Sequence, residues 1–127
     1  MKFIVFIAMG GAAGALSRYL ISNWLHSLWE VRWPLATLLV NIVGSLLIGV
    51  VFVLLERQLI HPHWRGALMV GFLGAFTTFS TFSLEMIGLL ERGSYLPAFG
   101  YMLSSAVICV LAAGAGIALT RLLTAGL

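Results

Sequence analysis

The 127-residue sequence carries seven basic and four acidic residues, so 9% of it is charged, while 61% is hydrophobic and the mean hydropathy is +1.09. Soluble domains are nearer half apolar and a quarter charged, so this composition excludes an ordinary water-soluble fold and leaves long uncharged stretches suited to a bilayer. The lone Cys109 excludes a disulfide framework, and basic residues standing singly at segment ends do not form the basic patch that nucleic acid requires.

The first apolar segment runs from about 3 to 25. Lys2 followed by FIVFIAMGGAAGALS imitates a secretory signal, but the segment continues through Arg18 into YLISNWLHSLW without a sharp end, and three similar segments follow. A retained membrane span is therefore expected. The stretch HSLWEVRWP mixes charge with Trp29 and Trp33, as an interfacial aromatic belt does, and Pro34 opens the next helix. Segment two covers about 35–55 and stops at Glu56 and Arg57. His61 and His63 flank Pro62 in the following loop; no third ligand lies near them, so no metal site is expected there. Segment three spans about 66–90, the turn ERGSYLP follows, and segment four runs from about 98 to 120, ending at Arg121. Each is about 20 residues, enough for a hydrocarbon core of about 30 Å. The expected architecture is an all-α integral membrane protein, a single domain over 1–127 with four transmembrane helices.

Basic residues are shared almost evenly between the two sides. Lys2, Arg57, Arg65 and Arg121 fall on one, Arg32 and Arg92 on the other, with Arg18 toward the second. So weak a bias permits insertion both ways up, and hence an antiparallel dimer with a twofold axis in the membrane plane. Small-residue pairs Gly10/Gly14, Gly11/Ala15, Gly71/Ala75 and Gly114/Ala118 predict close helix approach. Four spans enclose little volume, so a pore is expected between subunits.

Polar groups deep in a span are expensive and point to function. Thr37, Asn41 and Ser45 recur every four residues and form one polar stripe on segment two. The run GFLGAFTTFSTFSLE in segment three places hydroxyls at Thr77, Thr78, Ser80, Thr81 and Ser83, too close together for one helical face. With Gly71 and Gly74 just ahead of them, a break near 74–77 is predicted, since unwound backbone at membrane depth is tolerated where it lines a cavity. Phe79 and Phe82 share a face, and their positive ring edges can meet an anion while hydroxyls and the Asn41 amide donate to it. Glu85 continues that face as a vestibule guard or proton carrier. Arg18 is placed to attract anions or to pair with Glu85. Tyr101, Ser105 and Cys109 form a second stripe, on segment four. No nucleophile with its base, phosphate loop or zinc motif occurs, so an enzyme is not expected.

The run GFLGAFTTFSTFS, together with GGAAGALSRY and TLLVNIVGSLLIG, closely resembles the Fluc (CrcB-type) fluoride channels over nearly the whole chain. The resemblance implies two antiparallel copies in a bacterial inner membrane, with fluoride pathways along their interface and a structural sodium ion that is not transported. It assigns Asn41, Phe79 and Phe82 to the pore, with Ser80, Thr81, Tyr101 and Ser105 in the polar track, and Thr37 of the segment-two stripe is expected to line the same pore. Arg18 and Glu85 would sit at the vestibules, and the backbone carbonyls of Gly74 and Thr77 would hold the sodium. Two departures stand out: Ala75 occupies a position where relatives repeat glycine, and Cys109 one where a hydroxyl is common. The function implied is passive export of fluoride that limits its toxicity. Two rivals remain: a proton-coupled exporter like the small multidrug-resistance proteins, using Glu85, and an assembly partner that passes no ions.

Overall fold

A computed structural model describes residues 1–28 and 34–127. The expected aromatic belt at Trp29 and Trp33, and Arg32 in the charge count, lie outside the described residues. Helix α1 is Lys2–Leu28, α2 is Leu35–Glu56 and α5 is Tyr95–Leu123. Between them the third span is made in two pieces. Its first, α3 (65–76), is π-helical over Arg65–Leu73 and closes with one α-turn at Gly74–Phe76; its second, α4, is Phe79–Glu91. Thr77 and Thr78 between the two are extended, with ψ of 156° and 117°. The predicted break is therefore present, centred at the late edge of the stretch expected from the sequence.

Four helices among the described residues, counting 65–91 as one interrupted span, are long and apolar enough to cross a membrane, at 27, 22, 27 and 29 residues. They overrun the apolar segments by up to three residues at an end. Interfacial residues remain helical because the backbone must still be hydrogen-bonded where water thins out. The stops are locally encoded. Pro34 precedes α2, where its missing N–H is no loss. After α4, Gly93 at φ +75° directs its N–H to Leu90 O and that of Ser94 to Leu89 O, capping the last carbonyls. After α2, Gln58 makes the same turn at φ 56°, with its N–H on Leu55 O and that of Leu59 on Leu54 O.

The helices associate as two parallel pairs sealed by glycine. In the first, α1 lies on α3: a Cβ at Gly10 would overlap the Ala67 carbonyl, one at Gly14 that of Phe72, and one at Gly71 that of Ile7. In the second, α2 lies on α5, where Gly49 meets Ala113 and Gly116 meets the Leu46 carbonyl. Backbones this close gain dispersion contacts that lipid cannot supply. The Gly10/Gly14 expectation is met, whereas the Gly114/Ala118 pairing is corrected. Nothing lies within 4 Å of a Cβ at Gly114, because the seam uses the opposite face of α5 through Gly116. Gly11 likewise has only the Gly71 carbonyl near it, at 3.9 Å.

The second pair is also tied at its end, where Arg121 Nη2 stands 3.0 Å from Glu56 Oε1 and Arg57 Nη1 donates to Thr124 Oγ1 at 2.8 Å. Having begun against α1, the third span changes partner at its break. Helix α4 packs on the start of α5, forming a small core of Leu38, Leu89, Ala98 and Tyr101 bordered by Ile42, Phe82 and Met86.

Candidate ion-conducting site

Between α2, the break, α4 and α5 lies a partly open cleft of about 520 Å³. Asn41, Gly44 and Ser45 line it from α2. Gly74, Thr77 and Thr78 come from the break, Phe79 and Phe82 from α4, and Ser105 and Cys109 from α5. Asn41 and Ser45 of one predicted stripe and Ser105 and Cys109 of the other thus converge on one space, whereas Thr37, Tyr101, Ser80 and Thr81 do not line it.

Asn41 holds the break open. Its Nδ2 donates to Thr78 O at 3.1 Å and its Oδ1 accepts from Thr78 N–H at 2.8 Å, so both ends of the amide grip the backbone of one residue. That pairing fixes which end is oxygen, because the Thr78 N–H can only donate. One hydrogen of Nδ2 is left to donate elsewhere. Diverting the Thr78 N–H to Asn41 also removes the donor that a continuous helix would give to the Gly74 carbonyl. The Thr77 carbonyl loses its helical donor in the same way, since the Thr81 N–H turns to Thr78 Oγ1 at 3.2 Å. Oxygens deprived of internal donors at a half-helix end are suited to a cation.

Thr78 is the N-cap of α4 and its Oγ1 also donates to Thr81 Oγ1 at 3.0 Å. Sequence reasoning counted this hydroxyl without giving it a role, although a threonine heading a helix was a usable signal. Ser80 stays exposed within 3.4 Å of the same oxygen. Thr77 and Ser83 bond back to the carbonyls of Leu73 and Phe79, at 3.0 and 2.9 Å. Several hydroxyls of the run therefore serve α3 and α4 themselves. Ser105 differs: its buried Oγ has no hydrogen-bond partner among the described residues, and it borders the cleft. Cys109 sits half-buried one turn farther along.

The Phe79 and Phe82 rings lie 5.4 Å apart at 38°, and the Phe82 ring meets Tyr101 edge to face at 4.9 Å. Phe82 is anchored in the core, whereas Phe79 is 79% exposed. Beyond Phe82, Thr37 Oγ1 donates to Glu85 Oε1 at 2.5 Å, and the Tyr101 hydroxyl interacts with both. The expected pairing of Arg18 with Glu85 is corrected by this geometry. Arg18 Nε instead donates to Ala75 O at 3.0 Å, behind the break and away from the cleft lining. Helix α1 lies against α3, and Arg18 meets that half of the span.

Residues 5–117 match the family described as "CrcB-like protein, Camphor Resistance (CrcB)", a stretch that takes in every wall of the cleft. The chain belongs to the CrcB-like family. Among curated relatives, the "Fluoride-specific ion channel FluC" of Hahella chejuensis is 48% identical over 121 residues, covering 94% of this chain and 95% of the relative. The protein of the same name from Pseudomonas fluorescens is 48% identical over 123 residues, covering 96% and 99%, and that of Coxiella burnetii 39% over 120 residues, covering 93% and 97%. With its four membrane-crossing helices, this CrcB-like chain is a multi-pass membrane protein.

Proposed function

We propose that this protein is a fluoride-selective channel that lets fluoride leave the cell passively across the bacterial inner membrane. The observation that carries the reading is the convergence on one cleft of the Asn41-held break, the Phe79–Phe82 pair and the unpartnered Ser105 hydroxyl. Fluoride is small and strongly hydrated, so a narrow path must replace its water with donors as it strips that water away. The free Nδ2 hydrogen of Asn41 and the hydroxyls of Ser105, Ser80 and Thr81 supply donors, and ring edges of Phe79 and Phe82 supply a weaker positive lining. Thr37, Tyr101 and Glu85 carry that polar track past the phenyl pair toward a vestibule.

The working unit is an antiparallel homodimer with dual topology. Support comes from the openness of the cleft and the exposure of Phe79, which a second copy would cover, and from the near absence of charge bias between the two sides. The Gly74 and Thr77 carbonyls, short of helical donors, fit a structural Na⁺ shared by the two copies, which would pin the breaks together. Surrounding lipid covers the remaining apolar faces. The proton-coupled exporter is disfavoured by Glu85, which here accepts from Thr37 inside a packed cluster.

Fluoride efflux from liposomes containing the purified protein, followed with a fluoride electrode, tests the reading. We expect rapid efflux that persists when the proton gradient is collapsed; no efflux, or efflux that stops with the gradient, would refute it.

A further inference from the structure

The break in the third span is held from two sides. Asn41 grips Thr78 from the cleft, while Arg18 reaches over from α1 and takes the Ala75 carbonyl with Nε at 3.0 Å. Ala75 lies in the closing turn of α3, three residues before Thr78, so the two side chains bracket the extended pair Thr77 and Thr78. Arg18 does not line the cleft and sits half-buried. Its helix is fixed against α3 by Gly10, Gly14 and Gly71, whose contacts with the facing backbone allow little sliding. The arm that delivers the guanidinium is therefore as rigid as the helix it touches.

We propose that Arg18 is a positioning residue: its Nε–H, more than its charge, secures the end of α3 and so keeps the 74–78 backbone unwound in the shape that conduction uses. The inference rests on the channel reading above and concerns a side chain outside the cleft lining. A carbonyl at the end of a helix has lost its internal donor, and without Arg18 it is left to find water or to draw the chain back toward helix.

Which atom makes the bond yields a discriminating test. The amide nitrogen of glutamine stands the same number of bonds from Cα as arginine Nε, whereas the lysine nitrogen is one atom farther out, with a methylene where the donor should be. Arg18→Gln, Arg18→Lys and Arg18→Met are to be compared for fluoride efflux from liposomes and for hydrogen–deuterium exchange of peptides covering 74–83. Positioning predicts that Gln stays closest to wild type, Lys falls between, and Met loses efflux while its 74–83 amides exchange about tenfold faster. Peptides from α2 and α5 should be unchanged.

If Lys restores efflux and Gln does not, Arg18 acts by charge and the proposal is overturned. It is overturned equally if efflux falls in all three with wild-type exchange at 74–83, or if Met behaves as wild type. Should Met fail to fold, the order of Gln and Lys decides alone. A wild-type protein that passes no fluoride would refute the channel reading, and the exchange comparison would still judge Arg18.

Discussion

Asn41 illustrates how a single side chain can shape a path and still donate to what passes through it. Because its amide grips both the N–H and the carbonyl of Thr78, Asn41→Asp keeps the acceptor, loses the donor and sets a carboxylate against a carbonyl oxygen. We expect this variant to lose fluoride efflux and about 1–3 kcal/mol of stability, read from thermal unfolding in detergent. The two phenylalanines should separate stability from conduction. Phe79 is largely exposed in the single subunit, so Phe79→Ile should alter subunit stability by no more than about 0.5 kcal/mol, whereas Phe82→Ile also disturbs the ring contact with Tyr101. Phe82→Ile should cut efflux by about tenfold or more, as expected if ~1.4 kcal/mol of barrier lowering came from its ring edge. Efflux equal to wild type would remove the ring edges from the mechanism.

At the level of helices, much was written in the residues. The four apolar stretches, the clustered hydroxyls that no helical face can absorb, and the Gly10/Gly14 spacing each follow from periodicities that backbone geometry enforces. The partners were harder to foresee. Arg18 and Asn41 bind main-chain atoms, whose identity leaves no trace in the sequence; those atoms are available only because the third span is interrupted. The Gly114/Ala118 spacing suggested contact but carries no information about which side of α5 is used, and the seam falls on Gly116. Gly116→Ala should therefore lower the melting temperature by forcing the Leu46 backbone away, while Gly114→Ala should leave the subunit fold as it is or firm up α5 slightly. The π-helical turns of Arg65–Leu73 use residues equally at home in an α-helix, so composition does not announce them. Gln58 offers a different check. It adopts a left-handed conformation that glycine occupies without strain, so Gln58→Gly should stabilise the protein by about 1 kcal/mol in the same melting assay.

The subunit resolves into two glycine-sealed pairs, α1 with α3 and α2 with α5, bridged by a third span that starts in one and finishes beside the other. For the proposed dimer this division has a thermodynamic consequence. If Na⁺ bridges the break carbonyls of two copies, it binds the assembly and not the separated subunits, so replacing Na⁺ with N-methylglucamine should lower the temperature at which the dimer melts. Size-exclusion chromatography after heating would read this directly, and an unchanged profile would argue against a structural cation.

If a second copy completes the cleft as proposed, a lone chain leaves hydroxyls and the extended Thr77–Thr78 peptide facing acyl chains. In that case a copy with no oppositely inserted mate would be poorly solvated in the bilayer. For the proposed dimer, insertion in equal numbers of each orientation would leave the fewest copies unpaired.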